Sequence, residues 1–308
     1  MSRGSRTALA PAKLNLWLAI RGRRADGYHE LATLMLALEL ADALEATVTP
    51  EPGVGLEVTG PAASPDVPLD GRNLAVRAAE AVRADLAAVR GEPAPGLRLH
   101  LEKRVPSQAG LGGGSSDAAA ALDLACRALD HDPGPDWRRR TLAALGSDCV
   151  FFHEVGPSAL ARCEGRGERV TALHGEPPRW SLALLVPELR CPTAAVFAAL
   201  RGASRVAVGD PPGPELARMG AGEARAHLAT DLEPAALVAV PGLAAWRALL
   251  DEEGAAHFRL SGSGSAWFGL FDEPAVAQEE TARLRERAGR AGLALRLATV
   301  TRAAGAGR

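Results

Sequence analysis

The feature that most constrains this chain is a glycine-rich run that leads directly into a helical pattern. Residues 110–117 read Gly-Leu-Gly-Gly-Gly-Ser-Ser-Asp, with glycine at four of the first five positions. Backbone N–H groups in such a run can approach an anion without obstruction by side chains. The two serines and Asp117 are expected to supply the N-cap and first turn of the following helix. The residues predicted to form its buried face recur at helical spacing and are Ala118, Leu122, Ala125 and Leu129.

A loop that leads into a helix N-terminus is a candidate phosphate-binding site, because unpaired N–H groups and the helix dipole both favour negative charge there. It is not one of the two best-known loops of this kind. A P-loop has a lysine directly after its last glycine, and the Rossmann fingerprint has a third glycine where Ser115 or Asp117 stands. A flexible, glycine-rich surface turn is the alternative interpretation. The upstream Lys103, Arg104 and Pro106, together with the helix downstream, favour phosphate binding.

The composition indicates a globular chain whose partner is a small molecule. With 308 residues the chain has room for about two domains. A net charge of -2, a pI near 6.4 and the lack of a basic stripe with interleaved aromatic residues argue against nucleic acid or an anionic membrane as partner. Lys13 and Asn15 interrupt the apolar stretch near the N-terminus, and no stretch approaches the roughly 18 apolar residues of a membrane span. We therefore expect a cytoplasmic monomer or homodimer that binds a small-molecule substrate.

The cysteines indicate reduced thiols rather than disulfides or a metal site. The four of them, Cys126, Cys149, Cys163 and Cys191, are far apart and form no Cys-x-x-Cys pair. His153-Glu154 has no second histidine four residues further on, so it does not form a zinc motif. We expect mostly buried thiols and no metal held by protein side chains alone.

Lysine is almost absent from the chain. Of the 35 basic residues, only Lys13 and Lys103 are lysines, and the rest are arginines. Lysine is a compact point charge and arginine a broad planar fork, so a confined site beside a phosphate or a catalytic carboxylate can require lysine. Lys13 lies in an apolar run that is predicted to be a strand, and Lys103 stands seven residues before Gly110. Chance retention is the alternative for both, as is a solvated strand end for Lys103.

Apolar periodicity predicts two halves of the α+β class. In the first half, strands are predicted over 8–20, 31–49 and 97–101, and helices over 73–90, from the glycine run to about 130, and over 136–145. In the second half, strands are predicted over 158–163, 181–187, 256–260, 265–271 and 293–301, helices over 192–201, 214–227, 242–253 and 274–291, and a loop over 202–214. The second half is expected to contain an antiparallel sheet. The expected domains are 1–155 and 156–301, followed by a disordered tail at 302–308.

Four further motifs join the glycine run. They are Lys13 with Asn15 on the early strand, the turn Asp26-Gly27-Tyr28-His29-Glu30, Asp148 after the third predicted helix, and the late Leu260-Ser261-Gly262-Ser263-Gly264. In this order they resemble the GHMP small-molecule kinases. The pairing of Ala-Lys-x-Asn-Leu with Asp-Gly-Tyr-His resembles most closely the members whose acceptor is a cytidine diphosphate-linked methylerythritol. The resemblance covers most of the chain, from residue 10 to about 268.

The resemblance implies a two-domain GHMP kinase fold, with an N-terminal ATP-binding α+β domain and a C-terminal ferredoxin-like α+β domain that contains an antiparallel sheet. It also implies transfer of a phosphoryl group from ATP, with Mg²⁺, to the 2-hydroxyl group of the cytidyl acceptor, a step of the non-mevalonate route to isoprenoids. Phosphoryl transfer asks a protein mainly to position two substrates and to stabilise spread negative charge. A glycine loop, a helix dipole and a nearby ammonium group suit that task.

The family pattern also assigns roles to individual residues. Asp148 would accept the hydroxyl proton and contact the acceptor, and Lys13 would lie beside it and keep it ionised. The ATP phosphates would be bound by Lys103, Pro106, Ala109, Gly110, Leu111, Gly112, Gly113, Gly114, Ser115 and Ser116, with Ser116 also a magnesium ligand. Acceptor contacts would come from Asn15, Tyr28, His29, Thr193 and Phe197, with the Tyr28 ring on the cytidine and His29 at the cytosine edge.

Some residues have a structural alternative or depart from the family pattern. Asn15 could satisfy backbone groups, and Phe197 also fits the buried side of a helix. Val150 stands where the family has a proline after its Gly-Ala-Asp-hydrophobic segment, and Thr230 stands where the family commonly has asparagine; we interpret the second change as structural. Two other functions remain open: another GHMP kinase for homoserine, mevalonate or a sugar, and a nucleotide-binding sensor without catalysis. The Asp26 to His29 turn argues against the first, and the presence of both Lys13 and Asp148 against the second.

Overall fold

The computed structural model describes residues 6–200 and 209–305. The chain divides into two compact units that are each discontinuous in sequence. The first unit consists of the chain up to Ala12, Leu40–Ser107 and Gly112–Glu154, and the second consists of Lys13–Glu39, Gln108–Leu111 and the chain from Val155 onward. A contiguous division at 155/156 stays a prediction. The second unit also includes two segments that precede this boundary.

The strands of the part described are β1 (Arg6–Arg23), β2 (His29–Thr49), β3 (Val54–Thr59), β4 (Gly96–Glu102), β5 (Leu160–Gly165), β6 (Arg169–Ala172), β7 (Ser181–Pro187), β8 (Ala229–Thr230), β9 (Arg259–Leu260), β10 (Trp267–Phe271) and β11 (Leu295–Arg302). The α-helices are α1 (Leu74–Arg90), α2 (Gly113–Leu129), α3 (Pro135–Leu145), α4 (Cys149–Glu154), α5 (Thr193–Ala199), α6 (Ala221–Ala224), α7 (Glu233–Ala239), α8 (Gly242–Glu252) and α9 (Pro274–Arg290). Two short 3₁₀ helices lie at Pro214–Arg218 and Arg225–His227.

In the first unit, the second half of β2 forms a sheet with β4 and β3. Helix α1 packs against β3 and β4 and also against α2. Strand β2 pairs antiparallel with β4 from Ala43 opposite Glu102 to Thr49 opposite Gly96, and β3 pairs parallel with β4. Asn73 starts α1, because its side chain accepts a hydrogen bond from the Ala75 N–H at 2.9 Å. The buried face of α2 contains the four residues predicted for it, Ala118, Leu122, Ala125 and Leu129.

The second unit contains a four-stranded antiparallel sheet in the order β11-β7-β10-β9, as predicted for the second half. Helices α8 and α9 contribute to an apolar core with this sheet, in which Trp246, Phe258 and Trp267 are among the largest fully buried side chains. The first half of β2 pairs antiparallel with β5, and β5 with β6. Strand β1 pairs with β8 in parallel at Trp17 and Leu18. These pairings confirm the α+β class for both units.

Apolar periodicity located the long elements but missed several of the short ones. The predicted helices over 73–90, 136–145, 242–253 and 274–291 are confirmed to within two residues. Five short elements were not predicted: β3, β6, β8, α4 and α7. A single helix over 214–227 is wrong, because that segment forms two 3₁₀ helices and one short α-helix. Most of the predicted loop over 202–214 lies outside the described residues.

The predicted disordered tail is wrong for residues 302–305. Arg302 ends β11, and Ala303 is fully buried and forms an antiparallel bridge with Leu38. The Ala304 N–H donates to the Ala37 carbonyl oxygen at 2.9 Å. Backbone pairing of this kind keeps the segment ordered despite its small side chains. Residues 306–308 lie outside the part of the chain that the structure describes.

The cysteines behave as their spacing indicates. All four are free and buried. Burial raises the pKa of the Cys149 thiol to about 12 and that of the Cys126 and Cys191 thiols to about 11, so these thiols are unreactive at neutral pH. Within 6–200 and 209–305, no helix is long and apolar enough to cross a bilayer.

Candidate active site

In the first unit, helix α2 begins at glycine and has no side-chain cap. Gly112 occupies the N-cap position in the left-handed conformation, with φ 70° and ψ 12°. The expectation that a serine or Asp117 caps the helix is therefore wrong: the helix starts at Gly113, two residues before Ser115, and the three polar residues lie inside it. A glycine N-cap leaves the first amide groups without a side-chain acceptor, which keeps them available to an anion.

The first turn of α2 is crowded on one side and open on the other. A Cβ added to Gly113 would lie 3.2 Å from both Lys103 Nζ and Val105 Cγ1, whereas one added to Gly114 would meet nothing within 4 Å. The Ser116 hydroxyl is buried and has no hydrogen-bond partner in the described structure. A buried hydroxyl without a partner is uncommon in proteins. An uncapped helix start, open space beside Gly114 and an unpaired hydroxyl suit a phosphate group with a bound cation.

Lys103 lies behind the same helix turn in a buried ion cluster. Its ammonium group binds the carboxylates of Asp42 and of Asp117, the latter at 2.8 Å. Asp42 Oδ1 also accepts the N–H groups of Arg104 and Val105 at 2.5 and 2.8 Å. The alternative of a solvated strand end for Lys103 is wrong, because its side chain is only 3% exposed. Its binding to ATP stays a prediction.

The cluster perturbs the protonation of its members. Burial raises the pKa of Asp117 to about 7, although the Lys103 ammonium opposes the shift. Burial by itself would lower the pKa of Lys103, but the two carboxylates outweigh it and raise that pKa above its usual value. The second carboxylate oxygen of Asp117, Oδ1, is buried without a hydrogen-bond partner among the described residues. A protonated Asp117 would leave the cluster electrically neutral.

Asp148 lies half-buried in the turn that precedes α4. Close to it, a Cβ on Gly146 would lie 3.2 Å from Cys149 Sγ and 3.8 Å from Ser115 Oγ, so the turn packs against the start of α2. Val150, which replaces the family's proline, is fully buried in the first turn of α4. Proline is accepted in the first turn of a helix because the N–H it lacks has no partner there. The valine therefore preserves the local helix and fills the core.

In the second unit, the first part of the glycine run is held by backbone contacts. Gly110 has φ 75°, and a Cβ at this position would lie far inside van der Waals contact with the Ser261 carbonyl oxygen. The Ser261 hydroxyl donates to the Gly110 carbonyl at 3.0 Å, and the Lys13 N–H donates to the Leu111 carbonyl at 2.9 Å. Ala109 is buried and accepts the Ala266 N–H at 3.0 Å. The run is therefore tied to β1 and to the late Ser-Gly turn.

Lys13 and Asn15 form a buried polar pair on β1. Lys13 Nζ donates to Asn15 Oδ1 at 2.6 Å, and Asn15 Nδ2 donates to Thr33 Oγ1 at 2.9 Å. The two residues are 4% and 3% exposed. A Cβ on Gly262 would lie 2.8 Å from Asn15 Oδ1 and 3.5 Å from Lys13 Nζ, so only glycine leaves the pair this room. The structure thus brings together the Lys13–Asn15 pair and the late Gly-Ser-Gly turn, two motifs that are distant in the sequence.

The proposed cytidine residues also lie in the second unit. Tyr28 is 57% exposed, and its N–H donates to Asp26 Oδ1 at 3.1 Å. The rings of His29 and Phe197 lie 5.3 Å apart with an interplanar angle of 36°. Phe197 is half-buried and also packs against the apolar core. The alternative interpretation of Phe197, as a residue on the buried side of a helix, therefore describes part of its environment. Thr193 Oγ1 lies 3.2 Å from Ser263 Oγ.

The departure at Thr230 is structural, in agreement with its interpretation from the sequence. The Thr230 hydroxyl accepts the Leu232 N–H at 3.2 Å. The adjacent Asp231 Oδ2 accepts the Ile20 N–H at 2.8 Å, and the Asp231 N–H donates to the Leu18 carbonyl at 3.0 Å. The segment therefore anchors β8 to β1.

The predicted site residues divide between the two units. The first unit holds Lys103, Pro106, Gly112, Gly113, Gly114, Ser115, Ser116 and Asp148, and the second holds Lys13, Asn15, Tyr28, His29, Ala109, Gly110, Leu111, Thr193 and Phe197. Sequence reasoning missed Asp42 and Thr33. Asp42 and Thr33 are polar residues within a long apolar strand, which is a usable signal for a buried polar partner. Ser263 was included in the late Ser-Gly motif, but its contact with Thr193 was not predicted.

Comparisons with known proteins place the chain in a family. The model of the GHMP kinases N terminal domain matches residues 73–155, and that of the GHMP kinases C terminal domain matches residues 214–291. Several relatives exceed 30% identity over about nine-tenths of the chain. The chain therefore belongs to the GHMP kinases, and the two-domain α+β fold implied by the sequence motifs is confirmed.

Similar relatives share one name, 4-diphosphocytidyl-2-C-methyl-D-erythritol kinase. The relative from Salinibacter ruber is 36% identical, with 90% of this chain and 94% of the relative covered. The relative from Dinoroseobacter shibae is 38% identical, with 92% of each chain covered. A crystal structure of 4-(cytidine 5'-diphospho)-2C-methyl-D-erythritol kinase is 36% identical and superposes with a TM-score of 0.67, over 96% of this chain and 99% of that one.

Proposed function

We propose that this protein transfers the γ-phosphate of ATP to the 2-hydroxyl group of 4-diphosphocytidyl-2-C-methyl-D-erythritol, a step of the non-mevalonate route to isoprenoid precursors. The relatives that carry this name, with identities of 36% and 38% over about nine-tenths of the chain, support the choice of acceptor. The geometry of each unit supports the choice of reaction.

The observation that carries the proposal is the start of α2. The helix begins at Gly113 with no side-chain cap, Gly114 borders open space, and the Ser116 hydroxyl is buried without a partner. The first N–H groups and the positive end of a 17-residue helix attract phosphate oxygens. We assign the ATP phosphates to this helix start and to the preceding residues of the glycine run. Lys103 would contribute the positive charge of its ammonium group from behind the first turn of α2.

Two residues are assigned to the acceptor hydroxyl. Asp148 would accept its proton as the phosphoryl group is transferred, a task that suits a half-buried carboxylate. Lys13 would lower the free energy of the developing alkoxide through its positive charge. Asn15 supports this role, because its Oδ1 accepts a hydrogen bond from Lys13 Nζ and restricts the ammonium group.

A magnesium ion would be held mainly by phosphate oxygens and water, with the Ser116 hydroxyl as the protein ligand. Mg²⁺ commonly keeps several waters and is bound through substrate phosphates with only one or two protein ligands. When bound, the ion would neutralise charge on the β- and γ-phosphates. The unpaired Ser116 hydroxyl fits the oxygen chemistry that Mg²⁺ prefers.

The acceptor's cytidine would be recognised by aromatic and polar side chains of the second unit. The exposed Tyr28 ring can stack on the pyrimidine, and His29, next to Phe197, can hydrogen-bond to its edge. Phe197 would cover the opposite face of the base, and Thr193 would donate or accept one hydrogen bond. Because both substrates are charged metabolites, we propose a cytoplasmic location, with the protein a monomer or homodimer.

The test is release of ADP from ATP and magnesium with 4-diphosphocytidyl-2-C-methyl-D-erythritol, run beside homoserine, mevalonate and galactose. Turnover with the cytidyl acceptor alone is expected. Turnover with a different acceptor would overturn the acceptor assignment and leave the reaction type intact. No turnover with any acceptor, despite measurable binding of ATP, would favour the sensor and refute the proposed reaction.

A further inference from the structure

The hairpin of β5 and β6 carries an arginine that the proposed reaction does not use. Its tip is Gly165-Arg166-Gly167-Glu168, where both glycines have positive φ, of 78° and 116°. Glu168 Oε2 accepts the Arg166 N–H at 2.6 Å, and the Gly167 N–H donates to the Glu164 carbonyl at 3.1 Å. The tip is therefore a defined turn that holds the backbone of Arg166 in one place.

Strand register brings this tip to the turn that carries Tyr28. Gly165 lies opposite Leu31 in the antiparallel pair of β5 and β2. In an antiparallel pair, the residue after Gly165 lies beside the residues that precede Leu31. A second arginine of the hairpin, Arg169, forms an ion pair with Glu30 Oε1 at 2.6 Å. Two arginines of one hairpin are thus located beside one short turn.

The guanidinium of Arg166 faces the Tyr28 ring. Its Cζ lies 5.0 Å from the ring centroid, within the range of a cation–π interaction. Asp26, an acid of the same turn, is also sensitive to this group. Slight desolvation raises the pKa of Asp26, but the Tyr28 N–H, Arg24 and Arg166 together outweigh it and lower the pKa. The carboxylate therefore stays ionised at neutral pH and attracts the guanidinium groups of Arg24 and Arg166.

We infer that Arg166 is a positioning residue for the acceptor: it holds the Tyr28 ring in place for stacking on a nucleobase and thereby favours nucleotide-linked acceptors. The inference rests on the proposed function. An exposed aromatic side chain on a turn loses rotamer freedom when a ligand stacks on it, and this loss weakens binding. A cation–π contact from a fixed hairpin orders the ring beforehand.

The chain offers a direct spectroscopic test, because Tyr28 is its single tyrosine. Protein labelled with ring-¹³C tyrosine gives one tyrosine ring spectrum. The variants are Arg166→Ala, Arg166→Lys and the matched control Arg162→Ala. Arg162 lies on the same hairpin and is exposed, and its partner is Glu164 at 2.8 Å. Cytidine diphosphate is the binding probe, and the KM values for the cytidyl acceptor and for ATP are measured in parallel.

Arg166→Ala is expected to shift and sharpen the Tyr28 signal. It should also raise the Kd for cytidine diphosphate and the KM for the acceptor about three- to ten-fold, the range that a partly exposed cation–π contact provides. The kcat and the KM for ATP should stay within about two-fold of wild type, since neither depends directly on the ring. Arg166→Lys should restore part of the affinity, and Arg162→Ala should match the wild type.

The inference is overturned if Arg166→Ala leaves both the Tyr28 signal and the affinity for cytidine diphosphate unchanged, or if Arg162→Ala has the same effect. Failure of the proposed function is read separately, from the acceptor assay on the wild type. A wild type that binds cytidine diphosphate but does not phosphorylate the cytidyl acceptor would refute the proposed function, and the Arg166 variants would still decide the positioning role. A wild type that does not bind cytidine diphosphate would overturn the inference.

Discussion

Asp148 lies half-buried in the turn before α4 and is proposed to accept the proton of the acceptor hydroxyl. Substituting Asp148→Asn keeps the shape of the side chain and removes its basicity. We expect kcat to fall on the order of 10²- to 10⁴-fold, which is the contribution typical of a general base. The KM for ATP should stay within a few fold, since the carboxylate is assigned to the acceptor. Steady-state kinetics with purified enzyme measure both values.

A matched control for this substitution is Asp136→Asn, which changes an exposed carboxylate in the first turn of α3. It should leave kcat and both KM values near wild type. A wild-type kcat for Asp148→Asn would remove Asp148 from the chemical step.

Asp117 predicts a specific pH dependence of stability. Its folded-state pKa is raised from 3.8 to about 7, mainly by burial and against the pull of Lys103, with Asp42 adding repulsion. The folded protein therefore retains a proton that the unfolded chain releases between about pH 4 and pH 7. This group's contribution to the free energy of unfolding is fully present below about pH 4 and is lost as the pH rises to about 7.

Asp117→Asn cannot titrate, so the stability of the variant relative to wild type should rise between pH 4 and pH 7 and then level off. Urea unfolding of both proteins across this range measures the difference. A constant difference, or one that changes in the opposite direction, would show that Asp117 titrates normally.

At the scale of elements, the stability of the glycine run depends on the position and backbone conformation of each glycine rather than on the number of glycines. Gly110 has positive φ and lies against the Ser261 carbonyl, whereas Gly114 lies inside α2 beside open space. Gly110→Ala should lower the free energy of unfolding by about 2 kcal/mol or more, because the backbone strain and the contact with a carbonyl oxygen add together. Gly114→Ala should raise it by up to about 1 kcal/mol through helix propensity.

Both variants are compared by urea unfolding, with Gly114→Ala serving as the control for loss of a glycine. Equal effects of the two substitutions would mean that the run is a flexible turn. The opposite signs expected here follow from different backbone conformations within one short segment.

At the scale of the whole molecule, Ser116, which is assigned to ATP and magnesium, and Tyr28, which is assigned to the cytidine, belong to different units. ATP is assigned to the start of α2 in the first unit, and the cytidine to Tyr28 and its neighbours in the second. A ligand at 100 times its Kd stabilises the folded protein by about 2.7 kcal/mol. For a chain of this length, we expect this to raise Tm by roughly 5 °C.

Ser116→Ala should therefore reduce the Tm shift produced by ATP with magnesium and leave that of cytidine diphosphate unchanged. Tyr28→Ala should have the opposite pattern. Thermal unfolding of the three proteins with each ligand measures these shifts. A single substitution that weakens both shifts equally would contradict the division of the ligands between the two sets of residues.

Hydrophobic periodicity and turn-forming residues account for most of what could be predicted of the fold. The long helices and strands each contain several repeats of a hydrophobic pattern, and this is enough to identify the element and its approximate bounds. Strand β8 has two residues and α6 has four, so they present no period. Their formation depends on partners that are distant in the sequence. The order of residues 302–305 depends likewise on a bridge to Leu38.

The features of the candidate site also divide into those that a local pattern predicts and those that depend on residues distant in the sequence. The sequence alone determined that a glycine run precedes a helix, that Lys13 and Asn15 share a strand, and that the cysteines form no Cys-x-x-Cys pair, because each is a local property of composition and spacing. Only the tertiary structure decided that Lys103 binds Asp42 and Asp117, that Gly262 borders Lys13 and Asn15, and that Arg166 faces Tyr28. These contacts follow from strand register and chain topology, which bring together residues that are far apart in the sequence and share no local pattern.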